Sequence, residues 1–203
     1  MATKNAFKIE QAPEPVVPSI EGSLDASGKR FAIVLSRFNA FITDRLLQSA
    51  FDGLVQCGAQ VKDIKIVRVP GAFEIPSAAR TLAETRKYDA IICLGCLLRG
   101  DTAHYDVIVN EVTRGIGQSA QETGVPHAFG VLTCETLEQA IDRAGLKMGN
   151  KGFEAALAAV EMANLGKAVG KAVSYQLSAV NESKGTGGSL PVSYQSCFDC
   201  SVS

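Results

Sequence analysis

The chain has 203 residues, 46% of them hydrophobic, with 20 basic and 21 acidic side chains for a net charge of −1. That is apolar material for one sizeable core, and the even charge balance argues against a nucleic-acid stripe or an acidic solvating block. No apolar run approaches the roughly 20 residues that span a bilayer, so no membrane partner is expected.

Residues 1–21 lack the apolar centre of a secretion signal and carry Pro13, Pro15, Pro18, Glu10 and Glu14. They read as a flexible arm on a cytoplasmic protein. From Arg30 onward, short apolar runs alternate with segments of helical period. Residues 31–35 form a continuous β-prone run suited to a strand buried on both faces. Asn39 then stands where a helix cap is expected. In the helix that follows, Ile42, Leu46, Ala50 and Leu54 recur every four residues and Gly58 is a stop.

The cycle repeats with a strand at 64–69, an Ala-rich helix through about Thr85, and a strand at 89–98. A helix then aligns Ile108, Val109, Val112, Ile116 and Ala120, and a fourth strand covers 128–133. Two more helices follow at 136–144 and 151–165, the last with Phe153, Leu157 and Val160 inward. Strand–helix alternation with short connections predicts a parallel four-stranded sheet inside a three-layer α/β/α sandwich. Residues 22–165 make up that domain. Residues 166–203 form a Ser-rich extension with Gly185, Gly187 and Gly188, expected to be largely disordered. Asn181-Glu-Ser183 matches a glycosylation acceptor that a cytoplasmic chain would not use.

Six cysteines include two C-x-x-C pairs, Cys93 with Cys96 and Cys197 with Cys200. The first pair lies in a strand, where residues three apart face opposite ways, so one metal ion cannot collect both thiols. Buried free thiols in a reducing compartment are expected, and no metal.

Ligands of such sheets sit at the carboxyl ends of the strands. Four loops meet that description: 36–39, 70–74, 98–104 and 133–135. Arg99-Gly-Asp-Thr-Ala-His104 leads into a helix whose first N–H groups are unpaired, which suits a phosphate. Gly100 permits close approach, Thr102 can cap the helix or bond the anion, and Asp101 must point away. His104 is then within reach to move protons. Phe38 could stack on a heterocycle, Glu74 could accept hydrogen bonds from a ligand, and Arg143, Lys147 and Lys151 could hold an anion. Each of these also has a plain structural reading: a core ring, a carboxylate complementing a helix dipole, solvated cations.

The strings themselves resemble one family. Ser36-Arg-Phe-Asn39 with Ile42-Thr-Asp-Arg-Leu46 is similar to the lumazine synthase opening. Val69-Pro-Gly-Ala-Phe-Glu-Ile-Pro76, Arg99-Gly-Asp-Thr-Ala-His-Tyr-Asp106 and Phe129-Gly-Val-Leu-Thr133 resemble it in register. So does the stretch from Glu138 through Gly149-Asn-Lys-Gly-Phe-Glu154 to Asn164. The resemblance implies a flavodoxin-like fold and the cofactor-free condensation of 5-amino-6-(D-ribitylamino)uracil with 3,4-dihydroxy-2-butanone 4-phosphate in riboflavin biosynthesis. It implies Phe38, Ala72, Phe73, Glu74, Leu97, Leu98, Phe129 and Lys151 around the uracil substrate, with Glu154 nearby. Gly100, Asp101, Thr102 and Arg143 then bind phosphate, and His104 transfers protons. Phe129 and Arg143 come from the neighbouring chain of a homopentamer. Shells of twelve pentamers and association with riboflavin synthase are assemblies that the resemblance brings with it. Leu146 departs from the family's usual threonine, which bears on affinity more than on activity. The loop 36–39 has no glycine and no run of hydroxyls, which disfavours a flavin-binding module.

Overall fold

The computed structural model describes residues 19–147 and 149–185, with side chains described as far as residue 170. The expected arm up to residue 18, the end of the tail from residue 186 and the Cys197–Cys200 pair lie outside the described residues. Four parallel strands, β1 (Phe31–Ser36), β2 (Ile64–Val69), β3 (Ala90–Leu98) and β4 (His127–Cys134), form one sheet in the order β2-β1-β3-β4. The helices are α1 (Ala40–Gln56), α2 (Ile75–Glu84), α3 (His104–Thr123), α4 (Leu137–Arg143) and α5 (Lys151–Gly185).

Two apolar clusters flank the sheet and give the expected three layers. Phe31, Ile33, Leu35, Ile92 and Leu94 pack with Leu46, Ala50 and Leu54 of α1 and Ala156 and Val160 of α5. Ala32, Val34, Ile91 and Cys93 pack with Ile75 and Ala79 of α2 and Val112 and Ile116 of α3. All six residues of β1 are buried, so the central strand is apolar on both faces. Cys93 belongs to one cluster and Cys96 to the other, as strand alternation requires.

Several expectations are corrected. Asn39 does not cap α1 with its side chain; it adopts a left-handed conformation (φ 58°) and its amide donates to the Cys96 carbonyl at 2.9 Å. Asparagine tolerates that conformation better than most residues. On α3 the buried stripe is rotated to Tyr105, Val112, Ile116, Ser119 and Thr123, leaving Ile108, Val109 and Ala120 half-buried. On α5 the inward face is small: Gly152, Ala155, Ala156, Ala159, Val160 and Ala163 are buried, while Phe153 and Leu157 flank it. A Cβ on Gly152 would stand 2.0 Å from the Leu46 carbonyl oxygen, so α1 and α5 touch where a larger inward side chain has no room. The same helix does not end near Leu165 but continues to Gly185.

Asn150 sets the start of α5. Its amide donates to the Ala144 carbonyl at 2.7 Å, and its oxygen accepts from the Gly152 N–H at 2.8 Å. Thr136 caps α4 by accepting from the Gln139 N–H, and Gln139 in turn accepts from the Glu135 N–H at 2.8 Å.

Candidate active site

Parallel β1 and β3 end side by side, and their exits open a cavity of about 400 Å³ bounded by the turn before α2 and by the start of α3. Phe38 from the β1 exit and Phe73 from the β2 exit stand on its rim with 69% and 55% of their surface exposed. Large rings left in water at a cavity mouth are unfavourable unless something covers them, and a planar heterocycle is one group that could stack on such a ring. Ala72, Leu97 and Leu98 line the wall, and Gly100, Thr102 and His104 line the opposite side.

The turn before α3 leaves backbone donors unpaired, as an anion site would need. The N-cap position is Ala103, with no side-chain cap, so the first N–H groups of α3 are left for a ligand. Thr102 is therefore not spent as a cap. Nothing lies within 4 Å of where a Cβ on Gly100 would stand, so the glycine leaves open space rather than relieving strain. His104 opens the helix and is exposed, one residue from the vacant N–H groups.

Other expected residues do not line this cavity within one chain. Glu74 turns back on its own loop, where its carboxylate accepts from the Gly71 N–H at 2.9 Å and fixes the 71–74 turn. Asp101 is exposed beside the cavity. Lys151 pairs with Glu154 at 2.8 Å and Arg143 lies 3.9 Å from the same carboxylate, a cluster at the α4–α5 junction. Phe129 is on β4, an edge strand, and is 38% exposed. The single chain thus brings together Phe38, Ala72, Phe73, Leu97, Leu98, Gly100, Thr102 and His104, and leaves Glu74, Asp101, Phe129, Arg143 and Lys151 outside.

The cavity also contains Cys96 and Tyr105, which the sequence did not single out, and Asn39 and Ile108, which it assigned to a helix cap and a helix stripe. Tyr105 and Ile108 had a signal, since 105, 108 and 112 continue the inward stripe of α3 at helical spacing. Asn39 had its place in the strand-end loop 36–39 as a signal, but its partner, a carbonyl of a strand far along the chain, had none. Burial pushes the Cys96 thiol up to about 12, so it serves as an apolar floor and not as a nucleophile at neutral pH.

His127, the second histidine, belongs to the scaffold. Its Nδ1 donates to the Val125 carbonyl at 2.8 Å, which leaves Nε2 to accept from the Ser119 hydroxyl at 2.9 Å. Burial holds its pKa below the usual histidine value.

Comparison with known proteins agrees with this geometry. The family model described as 6,7-dimethyl-8-ribityllumazine synthase matches residues 28–167. A protein of that name from Desulfotalea psychrophila is 61% identical over 146 residues, covering 72% of this chain and 94% of the relative. One from Chlorobaculum tepidum is 56% identical over 151 residues, 74% of this chain and 97% of the relative. The matched region contains the whole sheet, the cavity and the turn before α3, and the chain belongs to the 6,7-dimethyl-8-ribityllumazine synthase family.

Proposed function

We propose that this chain condenses 5-amino-6-(D-ribitylamino)uracil with 3,4-dihydroxy-2-butanone 4-phosphate to 6,7-dimethyl-8-ribityllumazine, as a transferase of riboflavin biosynthesis. The observation that carries the reading is the joint placement of exposed Phe38 and Phe73, an uncapped helix N-terminus and His104 around one cavity. The ring amine condenses with the ketone to an imine and releases water. Loss of the C3 proton and departure of phosphate from C4 leave an enol that tautomerises to a ketone at C3, and attack of the ribitylamino nitrogen on that carbonyl closes the ring with loss of another water. Amine and carbonyl need no cofactor for this, so holding them together supplies much of the acceleration.

Phe38 stacks on the pyrimidine. Ala72, Phe73 and Glu74 meet the ribityl chain, and Leu97 and Leu98 meet the pyrimidine edge. Gly100, Asp101 and Thr102 offer the turn that takes the phosphate, Arg143 completes its binding, and His104 moves the protons. Phe129 and Arg143 act from across a subunit boundary, and Lys151 stands near the uracil. The exposure of Phe129 on an edge strand and the separation of Arg143 from the cavity support that assignment. The assembly is at least a homopentamer of 22–165 domains, and the link 145–152, which has no insertion, is compatible with a shell of twelve pentamers. Residues 1–21 and 166–203 are appendages of that domain, and the setting is cytoplasmic. Among the described residues no helix is long and apolar enough to cross a membrane.

The test is direct: purified full chain with both substrates, followed by the absorbance of the lumazine product. Product forms well above the spontaneous rate, and His104→Ala lowers turnover by roughly tenfold to a hundredfold, because positioning outlives the lost proton transfer. A flat trace from folded, assembled protein would sink the catalytic reading, and unchanged turnover in His104→Ala would remove that imidazole from the mechanism.

A further inference from the structure

The turn that leads into α3 is held by very little of its own. Among the described residues, no N–H from Gly100 to Ala103 donates to a backbone carbonyl, and α3 has no side-chain cap. Arg99 is what spans it. The guanidinium donates to both oxygens of Asp106 in the first turn of α3, at 3.0 and 2.8 Å. Its Nε stands 2.7 Å from the Glu135 carboxylate beyond the end of β4. Its flat face lies over the Tyr105 ring at 4.3 Å, and its backbone N–H donates to the Cys134 carbonyl at 3.0 Å. A two-point bond from 99 to 106 closes the turn into a ring, and the link to Glu135 ties that ring to the β4–α4 loop.

Arg99 is thereby unsuited to be the counter-ion of a ligand phosphate. It faces two carboxylates with one positive charge, and it does not line the cavity. The guanidinium keeps the Asp106 carboxyl below its usual range, so both partners stay charged at neutral pH. An ammonium cannot replace this group, because it lacks the planar fork that bonds two oxygens while a third N–H reaches elsewhere.

We propose that Arg99 is a positioning residue for the phosphate-bearing substrate, bracing the 100–104 turn from outside the cavity and coupling it to the end of β4. The proposal rests on the reading of that turn as the phosphate site. All members of the brace are partly exposed, so its worth to global stability is small, and its effect falls on the shape of the turn.

The experiment compares full-length Arg99→Gln, Arg99→Lys and Asp106→Asn with the unaltered chain. It reads the KM of each substrate, the inhibition constant of inorganic phosphate, the melting temperature and the assembled mass. Arg99→Gln should raise the KM of the phosphate-bearing substrate and the phosphate inhibition constant by roughly three- to tenfold. The KM of the uracil should stay within about twofold. Asp106→Asn should move the same two constants in the same direction by less, and Arg99→Lys should not restore them. An equal rise in both KM values with a lowered melting temperature would reduce Arg99 to a structural residue, and unchanged constants would dismiss it. Thr102→Ala and Arg143→Ala separate the two layers of the argument. If they weaken phosphate inhibition and Arg99→Gln does not, the brace alone falls; if none of the three weakens it, the phosphate reading falls as well.

Discussion

The chain's two histidines, His104 and His127, show how little a residue's type says before its surroundings are known. His104 is exposed at a cavity edge, while His127 is wedged between the Val125 carbonyl and the Ser119 hydroxyl. Burial depresses the folded pKa of His127, whereas the unfolded chain takes up its proton near the ordinary value of about 6.5. The contribution of neutral His127 to stability is therefore complete above about pH 6.5 and lost as pH falls through its lower folded value. Denaturant unfolding between about pH 5 and pH 7.5 should show stability declining toward acid, with a shallower decline in His127→Gln. Equal slopes in the two proteins would mean that His127 does not carry the dependence. Sequence could place His104, because helix-start and phosphate-turn chemistry is local. It could not give the partners of His127 and Asn39, since Ser119 and Cys96 lie on other elements.

At the scale of elements, legibility followed periodicity. Ile42, Leu46 and Leu54 of α1 are essentially fully buried at the spacing that announced them, and all four strands lie within a residue of their expected bounds. On α5 the expectation holds for Val160, which is fully buried, but not for Phe153 and Leu157, which flank a face made of small residues. The contact with α1 is instead made where a glycine lets backbones meet, a fact of tertiary distance that no single-helix pattern contains. The two glycines at 152 and 166 turn this into a test. Gly152→Ala places a Cβ 2.0 Å from the Leu46 carbonyl oxygen, a backbone atom that cannot swing aside. A loss of about 3 kcal/mol or more is expected, the upper end of overpacking penalties. Gly166→Ala meets nothing within 4 Å on the exposed side of the same helix and should gain about 0.5–1 kcal/mol from helix propensity. Thermal or denaturant unfolding of both variants decides; a tolerated Gly152→Ala would mean that α1 and α5 do not approach so closely.

For the whole molecule, the consequential proposal is a site divided between neighbouring chains. His104 lines the cavity of its own chain, while Arg143 sits with Lys151 on Glu154 and Phe129 stands exposed on the edge strand. A ring in which one surface of each chain meets a different surface of the next would join these halves, as the proposed pentamer requires. His104→Ala then damages one half of a site and Arg143→Ala the other. Co-expression of the two variants in equal amounts, with distinct tags to isolate mixed assemblies, places an intact His104 against an intact Arg143 at about one site in four. Mixed assemblies should accordingly exceed the mean activity of the two parent variants and approach roughly a quarter of the unaltered rate. If the complete site lay within one chain, every site would carry one of the two lesions, and mixing would return only the parental mean. That outcome, obtained on assemblies shown to contain both tags, would overturn the shared site without touching the assignment of His104.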